Sequence, residues 1–331
     1  MAGDPRPVDV LVLGAGVAGL LAARALVGAG REVVVIDKGR GVGGRLATRR
    51  IGDGVFDHGA QFFTSADPWF AAEVAEWEAA GVVAPWFDRR LEPDGTSVVD
   101  GHPRWRGATG MTAIAKHLAV GLDVRTATRA TALIAEDGGW RVRVAEGADL
   151  RAGSVVLTAP VPQTIELLAA GDTTLTPADQ QALAAITYHP CVAVLALLDG
   201  PADLPEPGAL RPAGEPLDWV ADNQRKGISP VPALTVHAGP DTSRRLWDSP
   251  DEELVATLLA AVPGLQAAPL PGGTQVQRWR YARPEVLHPD PVLRLDGLPP
   301  AVLAGDAFAG ARVPGAAASG RAAAALLLAE A

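Results

Sequence analysis

Apolar positions along this chain fall into short blocks of recognisable period. Residues 8–13 (VDVLVL) are β-branched and leucine-rich, as in a strand buried on both faces, and the alternating glycines after them open an alanine- and leucine-rich helix running to about residue 29. Residues 32–36 (EVVVI) form a second buried strand, closed by Asp37. Residues 66–81 (ADPWFAAEVAEWEAAG) predict a helix with an acidic face, Asp67 as its cap, Gly81 as its stop and tryptophans turned to the core. Residues 105–121 (WRGATGMTAIAKHLAVG) predict another capped helix, followed by a strand at 122–126 and a hairpin turning on EDGG at 136–139. Residues 153–169 (GSVVLTAPVPQTIELLA) return to buried strand and helix.

The pattern changes beyond that point. Prolines cluster at 201–216 and 229–240 around three strand candidates, CVAVLALLD, LDWVAD and ALTVHA, which predict an antiparallel sheet. At the C-terminus the strand-to-helix logic of the first forty residues recurs. A strand at 301–304 ends in Gly305-Asp306, and glycine and small residues start a long helix at 315. That helix would aim backbone N–H groups and its positive dipole end at an electron-rich ligand group. The first domain is therefore discontinuous, its two ends meeting around one ligand.

Composition narrows the functional classes. At 331 residues the chain is about two domains long. One cysteine, Cys191, excludes a disulfide framework, and six histidines without ligand spacing give no metal motif. A net charge of −9 disfavours a nucleic-acid-binding surface, which needs a concentrated basic face. The stretch at 10–30 is apolar enough to imitate a membrane span, but Arg24 and the glycines at 14, 16 and 19 interrupt it, and the terminal AAAALLL is too short. The opening MAGDPRPVDV is wrong for a secretory or transit signal, so a cytoplasmic protein without membrane partners is expected.

Candidate chemistry begins at Gly14-Ala15-Gly16-Val17-Ala18-Gly19, a G-x-G-x-x-G run set between strand and helix. Gly14 permits the turn, Gly16 lets a pyrophosphate approach the backbone, and Gly19 lets helix and strand pack closely. Asp37, at the end of the second strand, can accept hydrogen bonds from a ribose diol. Residues 39–50 (GRGVGGRLATRR) then place Gly43-Gly44-Arg45 directly behind the ribose acid. A nicotinamide-binding unit has no use for that extension. Arg49 and Arg50 read equally well as a solvated basic loop. Residues 55–64 (VFDHGAQFFT) offer small residues, Gly59 and Ala60, against which a flat ring could lie; His58 within them reads as structural.

The G-G-R turn resembles that of flavoproteins of the amine-oxidase class, which implies FAD as the resident cofactor. DKGRGVGGRLATRR, DHGAQFFT, VVLTAPVPQ, VADNQRKG, LTVHAGP, VQRWRYARP and AGDAFAGARVPGAAASG occur in the order found in renalase-like flavoproteins, particularly their bacterial branch, over residues 8 to 325. The resemblance implies an α/β fold: a Rossmann-like FAD-binding domain of p-hydroxybenzoate hydroxylase topology, with a second α+β substrate domain on a mainly antiparallel sheet. The expected division is 1–65, 105–160 and 296–331 for the FAD-binding domain, and 66–104 and 161–295 for the substrate domain.

It further implies non-covalent FAD held by Gly14, Ala15, Gly16, Val17, Ala18, Asp37, Lys38, Gly44, Arg45, Gly59, Ala60, Gln61, Phe62, Ala130, Ala159, Gly305, Asp306, Gly315, Ala316 and Ala317. The implied reaction is oxidation of 2- or 6-dihydro isomers of NAD(P)H to β-NAD(P)+, with O2 reduced to H2O2 and no metal. A dihydropyridine becomes aromatic on losing a hydride, so the donor needs placement and no strong base. Asn223, His237, Trp279, Arg280 and Tyr281 are the residues the resemblance points to for substrate, with Arg280 or Arg225 meeting a phosphate. His237 and Trp279 read equally well as structural, and alternation puts Arg280 on the face opposite Trp279 and Tyr281. An amine or secondary-metabolite oxidase on the same scaffold is the alternative, as is a flavin-binding protein without turnover. Amine oxidases usually carry a lysine near the flavin, and neither Lys116 nor Lys226 stands in a convincing setting for that role.

Overall fold

The computed structural model describes residues 6–92, 94, 96–308 and 310–330. The first five residues, on which part of the targeting expectation rests, lie outside them. In chain order, β1 (Val8–Leu13), α1 (Val17–Gly28) and β2 (Val33–Ile36) are followed by the hairpin of β3 (Thr48–Ile51) and β4 (Gly54–Asp57). Then come α2 (Pro68–Ala79), the long hairpin of β5 (Val83–Leu91) and β6 (Ser97–Gly107), and α3 (Thr112–Leu118). Next are β7 (Asp123–Arg125), β8 (Ala130–Glu136), β9 (Gly139–Val144), β10 (Leu150–Leu157), α4 (Val161–Ala170) and α5 (Pro177–Ala184). The remainder is β11 (Thr187–Leu198), β12 (Ala209–Leu210), β13 (Leu217–Asp222), β14 (Ala233–Ala238), α6 (Pro240–Arg245), α7 (Asp251–Ala260), β15 (Pro269–Val286), β16 (Leu293–Arg294), β17 (Ala301–Leu303) and α8 (Arg312–Ala329).

The chain divides into two compact units. The first comprises residues 1–44, 115–187 and 284–331, and the second residues 45–114 and 188–283. Residues 45–65 and 105–114 thus group with the second unit, and 161–187 and 284–295 with the first.

The first unit is built on a sheet whose main path runs β16-β17-β10-β1-β2-β7, with β9 on β10 and β8 on β9. β1 lies parallel to both β10 and β2, β10 parallel to β17, and β2 parallel to β7. Val10 to Leu13 and Val33 to Ile36 are buried throughout, as continuous apolar strands covered on both faces must be. α1 packs against α8 so closely that a Cβ on Gly320 would lie 2.2 Å from the Ala18 carbonyl oxygen. Sequence-distant ends of the chain meet there because that position carries no side chain.

The second unit carries a sheet in the order β12-β13-β14-β11-β15, antiparallel from β12 to β11. Its two faces differ. Val192, Val194, Val220, Leu234 and Val236 pack with Leu254 and Leu258 of α7 into a hydrophobic core. On β13 and β14 the alternate positions Trp219, Thr235 and His237 share the opposite face, since Trp219 is the register partner of His237 and side chains alternate along a strand.

Two expected boundaries move. The helix anticipated over 105–121 is strand up to Gly107 and helix only from Thr112. The cause is local: a Cβ on Gly107 would lie 2.0 Å from the Gly110 carbonyl oxygen, and Gly110 has φ +109°, so a tight turn replaces the first helical turns. The closing helix starts at Arg312 instead of 315, because Pro314 fits a first helical turn, where its missing N–H is not needed.

Candidate functional site

In the first unit the geometry is that of a dinucleotide cradle. Gly14 has φ +112°, and a Cβ there would fall 2.3 Å from Thr158 Oγ1, which itself donates to the Leu13 carbonyl at 2.8 Å. Gly19 must also lack a side chain, since its Cβ would lie 2.0 Å from the Gly14 carbonyl oxygen. Asp37 ends β2 and uses both carboxylate oxygens on backbone: Oδ2 accepts from Ala15 N and Oδ1 from Gly39 N, each at 2.7 Å. The acid thereby fixes the glycine loop and its own turn. Gly43 N donates to the Ala15 carbonyl at 2.8 Å, which ties the G-G-R segment to the same loop.

This cradle fits FAD. α1 begins at an N-cap glycine, Gly16, with no side-chain cap and no acid in its first turn, and α8 begins at Ala311 in the same way. Both helices present uncapped N–H groups to an anion or an electron-rich ring edge. A Cβ on Gly16 would meet nothing nearer than the Gly43 carbonyl oxygen at 4.0 Å, so the backbone there is open to close approach. Gly305, with φ +137°, donates to Ser319 Oγ at 2.8 Å, and Asp306 beside it is buried. Gly315, Ala316 and Ala317 sit one turn into α8, all buried. Ala130 and Ala159 are half-buried at the start of β8 and after β10, and Lys38 is exposed and bonded to Gln163.

Arg45, Gly59, Ala60, Gln61 and Phe62, the other residues the sequence associates with the cofactor, belong to the second unit. The Arg45 carbonyl accepts from Ala60 N at 2.8 Å, and a Cβ on Gly59 would lie 2.1 Å from that same oxygen. The Arg45 guanidinium donates to the Tyr281 carbonyl at 3.3 Å. Gln61 is buried, with its amide N–H2 directed at the carbonyls of Asp57 (2.6 Å) and Gly59 (3.1 Å). Phe62 joins a ring cluster with Phe87 and Trp219.

Around these residues the second unit builds a polar centre. Asp57 Oδ1 accepts from Thr48 Oγ1 (2.6 Å) and Met111 N (2.8 Å), and its Oδ2 accepts from Lys226 Nζ at 2.7 Å. Lys226 is fully buried, with Nζ 4.9 Å from the centre of the Trp86 ring. Burial pushes its pKa down against the pull of Asp57. The His58 ring stacks on Trp279 with centroids 5.3 Å apart and planes 14° apart, while Trp279 Nε1 donates to the His58 carbonyl at 2.9 Å. The His237 ring lies near that carbonyl. Burial lowers both imidazoles to about 4; for His58, Arg49 and His237 add to it, while Asp218 and the His58 carbonyl oppose it at His237. Both rings are therefore neutral near pH 7.

The remaining residues expected to meet substrate are placed differently. Asn223 is fully buried, its amide nitrogen spent on the Ala233 carbonyl (3.2 Å) and Thr235 Oγ1 (2.9 Å). Arg280 is exposed and lies over Trp247, on the side of β15 away from the His58 stack. Tyr281 packs edge-on against Tyr188. Arg225 is held by the Leu204 carbonyl and Glu206. The Lys226–Asp57 pair and the His58–Trp279 stack were not visible in the sequence, since their members stand 169 and 221 positions apart. Among the described residues no cluster of metal-ligating side chains occurs, and no helix is long and apolar enough to cross a membrane.

Comparison with known proteins agrees with this geometry. Residues 12–76 match the NAD(P)-binding Rossmann-like domain, and residues 88–328 match the flavin containing amine oxidoreductase family. A protein described as a protoporphyrinogen oxidase from Exiguobacterium sp. 255-15 has a similar structure, with TM-score 0.72 and 15% identity over 99% of this chain and 100% of that one. Putrescine oxidase bound to putrescine gives TM-score 0.71 and 17% identity over 98% and 99% of the two chains. In sequence, digeranylgeranylglycerophospholipid reductase of Methanospirillum hungatei is 32% identical over 154 residues, 45% of this chain and 35% of that protein. The matched part thus spans about a third of the length of that curated relative. The family match covers most of the chain, and the chain belongs to the flavin containing amine oxidoreductase family, with FAD as its cofactor.

Proposed function

We propose that this protein is an FAD-dependent oxidase of renalase type, which converts 2- or 6-dihydro isomers of NAD(P)H to β-NAD(P)+ at the expense of O2. The observation that carries this reading is the His58–Trp279 stack flanked by His237. It is a flat aromatic surface whose own imidazole, His58, and the imidazole of His237 beside it are neutral and weakly basic. Such a surface suits a planar donor that must be placed and not deprotonated.

FAD, when bound, would supply the two-electron acceptor for the hydride and a reduced form that O2 can reoxidise, with H2O2 as the product. The chain's own residues divide the remaining work. The loop Gly14 to Ala18, braced by Asp37, and the N-termini of α1 and α8 hold the cofactor non-covalently through backbone N–H groups. Trp279, backed by the buried His58 ring, offers the substrate ring a stacking face, and His237 orients its polar edge. Loss of the hydride leaves the substrate as an aromatic pyridinium, so no side chain has to accept a proton from carbon.

A second reading, oxidation of an amine or secondary metabolite, is favoured by the family match and by the likeness to putrescine oxidase. Anaerobic mixing of the purified, FAD-loaded protein with dihydronicotinamide isomers and, separately, with putrescine and other amines decides between them. Rapid flavin bleaching by the dinucleotides, followed by stoichiometric H2O2 on admitting oxygen, is expected. Bleaching by amines alone would overturn the reading.

A further inference from the structure

Among the described residues, seven buried side-chain polar atoms have no hydrogen-bond partner, and five of them lie together in the second unit: His58 Nδ1, Gln61 Oε1, Trp219 Nε1, Asn223 Oδ1 and His237 Nε2. Buried polar atoms are nearly always paired, so a concentration of orphans in one neighbourhood marks a place where something else completes the bonding. The five stand in one neighbourhood. The Asp57 carbonyl accepts from both Gln61 and Thr235, Thr235 also accepts from Asn223, His58 follows Asp57, His237 shares a face of β14 with Thr235, and Trp219 is the register partner of His237.

Three of these orphans are acceptors, while the indole nitrogen of Trp219 is a donor. Gln61 must turn its N–H2 toward two carbonyls, which leaves Oε1 as a bare acceptor. Asn223 is fixed in the same sense by the Ala233 carbonyl. Neutral His237 keeps one ring nitrogen as a lone pair, and its Nε2 is buried without a partner. A partner for these three must bring hydrogen-bond donors.

A protonated amine brings donors too, but the charges around the site oppose it. Arg49 lies close enough to His58 to disfavour a positive charge there, Lys226 does the same to His237, and Arg106 to Lys226. Against them stand Asp57, bonded to Lys226, and Asp218, 4.0 Å from Arg283. Four cations face two carboxylates, and an ammonium entering a partly desolvated site with that balance is repelled.

We propose that His237 Nε2 and Gln61 Oε1 receive the N–H groups of a neutral carboxamide on the substrate, and that the cations around them turn protonated amines away. This deepens the reading above and rests on it for the identity of the second unit as the substrate-recognising one, and it assigns to the substrate the Gln61 side chain that the sequence alone associates with the cofactor.

The test uses three ligands of one shape: nicotinamide, 3-acetylpyridine and 3-(aminomethyl)pyridine, titrated calorimetrically into the FAD-loaded protein near pH 7. Nicotinamide is expected to bind about ten- to a hundredfold more tightly than the ketone, the usual consequence of leaving buried acceptors without a donor, and the aminomethyl compound most weakly. A ketone within threefold of the amide, an aminomethyl compound that binds best, or no binding of nicotinamide overturns the proposal. In His237→Phe the preference for amide over ketone is expected to collapse, and in His237→Gln, which restores an acceptor, to return in part. Should His237→Phe fail to load FAD, the ranking on the unaltered protein still decides. The titration needs no turnover. A correct ranking with no oxidation of dihydronicotinamides would defeat the proposed reaction alone, and rapid oxidation with a flat ranking would defeat the carboxamide contact alone.

Discussion

Lys226 Nζ lies 2.7 Å from Asp57 Oδ2, and neither side chain reaches solvent. Such a pair gains little net stability when intact, because both ions lose their hydration, yet leaving one of them unpaired is costly. Asp57 has further duties at Thr48 and Met111, so the two single substitutions are not equivalent. Lys226→Met is expected to lower unfolding free energy by about 3–5 kcal/mol. Asp57→Asn should cost at least as much, since it strands the ammonium, and the double variant should cost less than the sum of the two. Urea unfolding midpoints measure this; strict additivity would mean the pair is not coupled.

The two neutral imidazoles set a pH dependence whose sign follows from their direction of shift. His58 and His237 are lowered from 6.5 to about 4 in the folded protein. Between those values the unfolded chain binds protons that the native chain refuses, so stability is complete above about pH 6.5 and falls as pH drops toward 4. Each group contributes up to about 3 kcal/mol across that window, at about 1.4 kcal/mol for each pH unit of displacement. Urea midpoints between pH 7 and pH 4.5 should therefore fall, and fall less in His237→Gln than in the parent. Equal slopes would show that His237 titrates in the native state as it does in the unfolded chain.

The cradle can be tested by loss of cofactor. Gly14→Ala places a Cβ 2.3 Å from Thr158 Oγ1 at φ +112°, a conformation alanine avoids. It is expected to purify without FAD while keeping its fold by circular dichroism. Asp37→Ala, which leaves Ala15 N and Gly39 N without their acceptor, should weaken FAD binding by about ten- to a hundredfold in a fluorescence titration. Full flavin content in Gly14→Ala would place the cofactor elsewhere.

What was legible in the sequence was what is local. Residues 14–19 and 37 lie within one strand-turn-helix-strand unit, so their spacing alone placed the turn and the acid at the strand end. The antiparallel strands were legible because β-branched runs stood between prolines. The β5–β6 hairpin was not, since charged residues such as Asp88, Arg89 and Arg90 occupy its middle and most of its outer positions are exposed. His58 read as a lone structural histidine because nothing near it in sequence announces Trp279, and Lys226 seemed idle because its partner is 169 residues away. Side-chain chemistry assembled by strand pairing leaves no periodic trace.

Trp279 offers the sharpest separation between a stacking surface and a merely structural ring. Its indole does two things at once: Nε1 donates to the His58 carbonyl at 2.9 Å, and its face lies on the His58 ring. Trp279→Phe keeps a flat ring and loses the hydrogen bond, worth about 1 kcal/mol, so KM for a dihydronicotinamide is expected to rise by about fivefold with kcat nearly unchanged. Trp279→Ala loses the ring as well, and with it a further stacking contribution of about 0.5–1.5 kcal/mol, so KM should rise by about ten- to a hundredfold and kcat should now fall, because a substrate without its stacking face is misplaced for hydride transfer. If both variants lowered thermal stability but left KM where it was, Trp279 would be a core residue, and the planar donor would have to be bound by another surface.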